Sequence, residues 1–272
     1  MLNLSAKKLV SLPSLLAFAL GLIVITSISL SAQSESQSQV QAQIEKQRQR
    51  LSATDPEDRR DALMKLGAMH RAAASREAMV GLSDASPMVR AIAARAILSI
   101  GADESVSALL PLLNDKDEFV RRETTYALGQ THSSKATDPV AKLLLTDKED
   151  GVRAAAAVAL GEIADETAVV TLATVLAPEI SSGGKKGKAE KNVFVLRAVA
   201  RSLGQIKSRA GVPALVAALS NDKMVDDVRR ESAQALGSIG DPLGIPALRM
   251  AANSRDPYLA QVAHQSLKKI AP

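Results

Sequence analysis

The pattern VRxxxxxALG occurs at Val120 to Gly129, Val152 to Gly161 and Val228 to Gly237, and degraded copies lie at matching intervals. With the Val as phase marker, the series Asp58, Val89, Val120, Val152, Val195, Val228, Leu259 advances by 31, 31, 32, 43, 33 and 31 residues. A fixed period of this size means a stack of identical supersecondary units, because one such unit cannot bury its apolar face alone.

The unit is helical. In Val152 to Ile163 the residues Val152, Ala155, Ala156, Ala159, Leu160 and Ile163 recur at three- and four-residue spacing, on one face of an α-helix. Alanine at the middle positions combines the best helix propensity with a side chain small enough for a neighbouring helix to come close. A short polar stretch, Asp165-Glu166-Thr167, then precedes a second apolar run, Ala168 to Ala177, and Gly101-Ala102-Asp103 and Gly240-Asp241-Pro242 punctuate other units in the same way. No strand pattern competes.

These residues predict an all-α chain, an α-solenoid of about seven stacked helix pairs. The VR and ALG signatures resemble HEAT repeats of the short, phycobilisome-lyase-like type, over roughly Asp55 to Pro272. The signatures of ankyrin and tetratricopeptide repeats are missing. Only 2% of residues are aromatic against 46% hydrophobic, which suits a solenoid core of Ala, Leu, Val and Ile. There is no Cys, so thiolate metal sites, thiol catalysis and disulfides are excluded.

The first thirty residues differ. Lys7 and Lys8 precede Leu9 to Leu30, 22 residues without a charge. The stretch reads either as a cleaved secretory signal or as a membrane anchor helix, and both send the repeats across the cytoplasmic membrane. Residues 31–54 are rich in Ser and Gln and read as a tether, or, through Val40, Ile44 and Leu51, as a helix capping the array. The irregular step comes from an insertion at 178–191, PEISSGGKKGKAEK, a basic loop that is either a docking finger for an anionic surface or a solvated excursion.

Two sets of polar residues repeat at fixed phase. Arg59, Arg90, Arg121, Arg153 and Arg229 follow the phase residue directly, and Asp84, Asp115 and Asp147 stand five positions before it. A residue needed once per unit is needed by the stacking, so these predict a structural ladder of Arg with loop carboxylates or carbonyls of the adjoining unit. Positions two, six and nine or ten beyond the phase residue point away from the apolar stripe, and hold Arg60, Arg95, Arg122, Tyr126, Arg197, Arg201, Arg230, Gln234, Gln261 and Gln265. The HEAT resemblance implies that the second helix of each pair lines the concave surface. Together these predict a partner-binding groove through Arg95, Arg122, Tyr126, Arg197, Arg201, Arg230 and Gln234, with a plain solvated face as the alternative.

No catalytic motif stands out. The deoxyhypusine hydroxylases, HEAT-repeat enzymes, build a di-iron site from His-Glu pairs, whereas here His70 precedes Arg71, His132 precedes Ser133 and His264 precedes Gln265. Glu149-Asp150 and Asp226-Asp227 are explained by helix N-terminal capping. The expectation is therefore a non-catalytic scaffold, exported or membrane-tethered, for a protein partner of acidic character. It has no enzymatic activity, no cofactor, no small-molecule substrate and no nucleic acid. A HEAT-like enzyme or enzyme accessory, lyase-like or hydroxylase-like, is the alternative; a nucleic-acid-binding solenoid is the second, disfavoured by the lack of aromatic stacking platforms.

Overall fold

The computed structural model describes residues 37–177 and 189–270, so the segment 1–30 and most of the 178–191 insertion lie outside the described residues. The described chain is a succession of helix pairs. Helix α1 (37–50) pairs with α2 (Pro56–Ala68), α3 (Ala72–Ala78) with α4 (Pro87–Ala96), α5 (Ala102–Leu109) with α6 (Glu118–Gln130), and α7 (Thr137–Thr146) with α8 (Asp150–Ile163). Then come α9 (Ala168–Leu176) with α10 (Val193–Ile206), α11 (Val212–Ser220) with α12 (Asp226–Ile239), and α13 (Ile245–Ala251) with α14 (Pro257–Ile270). Among the described residues there is no strand, and no helix is long and apolar enough to cross a membrane. The predicted export or anchor helix falls outside them.

The second helices α2, α4, α6, α8, α10, α12 and α14 stack one on the next, and the first helices α7, α9, α11 and α13 form a second layer against them. The phase residues are the centre of the stack: Val89, Val120, Val152, Val195, Val228 and Leu259 are each no more than 1% exposed. Burying one such side chain contributes roughly 1.5 to 3 kcal/mol, so the repeat itself holds the array together. Asp58 departs from the rule because it ends the apolar series; its carboxylate instead accepts from Arg50 of α1 at 2.8 Å. Through that bond and the buried Ile44, α1 covers the open end of the array.

The glycine closing each ALG motif has a packing cause. At Gly204 an added Cβ would stand 2.8 Å from the Cα of Ala235 in the next second helix, and at Gly129 it would stand 2.9 Å from the Cα of Ala159. Successive second helices thus touch backbone to backbone, with Gly on one side and Ala or Ser on the other. Side chains at these crossings bond to neighbouring backbone: Ser202 Oγ donates to the Ala157 carbonyl at 2.7 Å across the α8–α10 contact.

Candidate functional site

Four of the ladder arginines, Arg59, Arg90, Arg121 and Arg153, leave the first turn of their helices sideways and join two loops. Arg90 Nε and Nη2 donate to both carboxylate oxygens of Asp115, in the following unit, at 2.7 and 2.8 Å, while Nη1 donates to the Asp84 and Ala85 carbonyls before its own helix. Arg59 holds Asp84 in the same way, and Arg121 holds Asp147. Arg153 finds Glu190 at 2.7 Å, so a carboxylate near the end of the insertion, five positions before Val195, restores the rung that the extra residues would have displaced, and Arg153 also binds Asp150. The bound guanidinium holds the carboxyls of Asp84 and Asp115 below their ordinary range. For Asp147 burial pushes upward, but Arg121 and the Glu149 N–H outweigh it.

The ladder then stops. At the next unit Leu196 stands at the arginine position, and Lys223 stands where the carboxylate would be. Arg229 follows, bonding to the Leu219 carbonyl and to Asp226 rather than to a carboxylate of the next unit. Across these same two junctions, ion pairs appear on the open face of the second helices. Arg201 grips Glu231 through Nε and Nη2 at 2.9 and 3.1 Å, Arg197 approaches Asp227 at 3.7 Å, and Arg230 bonds Asp256 at 2.8 Å and Asp227 at 2.6 Å. From α10 onward the open-face pairs carry the charge linkage between units, while Arg95 and Glu123 repeat the Arg201–Glu231 positions earlier in the array, at 3.6 Å.

The residues expected to line a groove are thus not bare cations. Arg201, Arg197 and Arg230 have carboxylate partners, Arg230 also lies over the Tyr258 ring at 5.5 Å, and Arg122 lies over Phe119 at 5.2 Å beside Glu123. Arg95 reaches Glu123 at 3.6 Å; Tyr126 is half-buried and Gln234 exposed. The structure brings Arg197, Arg201 and Arg230 together around the α10–α12–α14 junctions, with Arg95, Arg122 and Tyr126 some units away. Sequence reasoning missed Glu123, Glu231 and Asp256 and assigned Asp227 to capping, whereas Asp227 pairs with Arg197 and Arg230 and the helix it opens has no side-chain cap bond.

Glu162 is a further departure. It lies over Gly129, where an added Cβ would be 2.5 Å from its Oε2, and that oxygen is buried without a hydrogen-bond partner. Burial raises its carboxyl above the ordinary range. His132, in left-handed backbone at φ 51°, places Nδ1 2.6 Å from the Glu162 carbonyl oxygen.

The family model for HEAT repeats matches residues 44–129, 108–179 and 189–268. The chain belongs to the HEAT-repeat family. Among curated HEAT-array relatives, deoxyhypusine hydroxylase of Gallus gallus is 34% identical over 92 residues, which is 34% of this chain and 30% of that enzyme. Deoxyhypusine hydroxylase of Chaetomium globosum is 42% identical over 60 residues, 22% of this chain and 17% of the enzyme. The chain thus matches less than a third of either relative's length. Among solved structures, the complex of CpcE and CpcF of phycocyanin lyase from Nostoc has a TM-score of 0.51 at 22% identity, covering 84% of this chain and 88% of that one, which is a likeness of fold.

These relatives overturn the expectation of a non-catalytic scaffold without enzymatic activity and without a small-molecule substrate, because their names are those of an enzyme. The physical reason lies in how that expectation arose. A search for catalytic motifs inspects residues adjacent in sequence, whereas a HEAT array brings together side chains from different units.

The di-iron centre of the hydroxylases does not fit this HEAT array. His70 and His132 sit just past the ends of α2 and α6, each in left-handed backbone, and His264 is exposed on α14. Among the described residues no three of His, Asp and Glu converge to hold a metal ion.

Proposed function

We propose that this chain is a HEAT-repeat enzyme or the accessory subunit of one, hydroxylase-like or lyase-like, with its substrate held on the open face of the second helices. The observation that carries the reading is the 34% identity over 92 residues to a deoxyhypusine hydroxylase. The paired guanidinium and carboxylate groups of that face support it, since Arg201 is 57% exposed while gripping a nearly buried Glu231, leaving donors turned to solvent. Lys7 and Lys8 before Leu9 to Leu30 support a place outside the cytoplasm, anchored or released, which N-terminal sequencing of the mature protein tests.

A photo-crosslinking residue at the exposed Gln234 tests where the substrate lies. Challenged with a deoxyhypusine-bearing protein and its plain lysine form, it should label the former selectively. Equal labelling of both, or equal labelling from position 170 on the first-helix layer, where Val170 is 73% exposed, would refute the reading.

A further inference from the structure

The second unit departs from the repeat at the end of its second helix. Where the helices of Asp58, Val120, Val152, Val195 and Val228 close on Leu-Gly, this unit has Ala96-Ile97-Leu98. Leu98 cannot enter the backbone contact that glycine permits, and α4 stops at Ala96 after 10 residues, where α6 has 13 and α8 has 14. The chain leaves through a short 3-10 turn, Leu98–Ile100, into Gly101 at φ 110°, a conformation that favours glycine.

The missing turn opens a cleft of about 550 Å³ between the C-terminal ends of α2 and α6. That volume is within the range of small-molecule sites, about 300 to 1,000 Å³. Its apolar wall includes Met64, which is 53% exposed, with Ile92 and Leu98. Its polar rim includes His70, Arg95 and Gln130. Among the described residues lining it, Arg95 carries the only fixed charge. Its side chain is 60% exposed, and its ion pair with Glu123, at 3.6 Å, is longer than a hydrogen bond. An apolar wall ending at one accessible guanidinium complements a ligand with an apolar body and an anionic head.

We propose that this cleft binds a small amphiphilic carboxylate, its chain along Met64, Ile92 and Leu98 and its carboxylate accepting from Arg95. The cleft's chemistry stands whether or not the array turns over a hydroxylase-like substrate.

Octanoate, octanol and octylammonium share the apolar body and differ in the head. Isothermal titration of the full chain should rank octanoate first, about tenfold tighter than octanol, with octylammonium weakest, the separation expected of one charge-assisted contact. Arg95→Gln should bring octanoate down to the octanol level, and Gln130→Glu, which leaves Arg95 in place, should weaken octanoate alone. Met64→Trp should weaken octanoate and octanol alike by filling the wall. Octylammonium binding as tightly as octanoate, or octanoate binding unchanged in both rim variants, overturns the proposal.

Discussion

Arg121 and Asp147 meet across the α6–α8 junction in a two-pronged ion pair, Nε to Oδ2 at 2.7 Å and Nη2 to Oδ1 at 3.0 Å, with side chains only 9% and 5% exposed. Nη1 of the same arginine donates to the Asp115 carbonyl, so one side chain fixes its own entry loop and the next unit's. Removing it leaves a buried carboxylate without its cation. Arg121→Ala should cost about 3 kcal/mol, read as a fall in the urea midpoint. A shift no larger than that of an exposed variant such as Lys148→Ala would show the ladder to be ornamental.

Leu196 and Lys223 mark the place where that ladder is absent. Leu196 is 6% exposed, so Leu196→Arg alone should destabilise by burying an unpaired charge. Combining it with Lys223→Asp supplies the partner. The double-mutant cycle should show favourable coupling of about 1 kcal/mol; additive effects would mean that the two positions do not face each other as Arg90 and Asp115 do.

Gly204 tests the backbone contact of the second helices. Gly→Ala inside a helix ordinarily stabilises by about 1 kcal/mol through propensity. Here the added Cβ would stand 2.8 Å from Ala235 Cα, and overpacking of about 1 to 3 kcal/mol should win. The check is the melting temperature of Gly204→Ala, expected to fall; a rise would mean that the units can separate without loss.

Glu162 gives a pH dependence of opposite sign to the ladder. Its folded carboxyl is raised by burial, so protonation favours the folded state, and stability falls as pH rises from the ordinary carboxyl range of about 4.3 through the raised folded value. Asp84 and Asp115 are lowered by their arginines, so their contribution is present above the unfolded value of about 3.9 and is lost as pH falls. Glu162→Gln should remove the first effect only and stabilise the array at neutral pH, since Gln205 already occupies the equivalent place over Gly161. Unfolding curves of both proteins from pH 3 to 8 decide it. A constant difference across that range would sink the assignment.

The unit, the phase of its buried face and the residue types of the ladder were legible in the sequence because each recurs at a fixed interval, and periodicity survives without knowing the neighbours. What joins different units was less legible. Arg201 and Glu231 lie 30 positions apart, and nothing local to either names the other. On sequence alone the open-face arginines have no named carboxylate partner. The packing role of Gly161 is not legible in the sequence, since a missing side chain shows its purpose only when the next helix lies against it, here at Ser202. The cleft beside Leu98 follows from a helix ending one turn early, and a helix end is decided by packing as much as by propensity.

The central claim, that this array serves an enzymatic reaction of the hydroxylase or lyase type, meets its most direct test in mass spectrometry of a deoxyhypusine-bearing protein. The substrate would be incubated with the purified full chain, alone and added back to an extract depleted of it. The account predicts that modification of the deoxyhypusine residue, either gain of one oxygen with dioxygen and a two-electron reductant supplied or an eliminative change, depends on the chain in at least one of the two settings. Identical substrate spectra with and without the chain in both would contradict it.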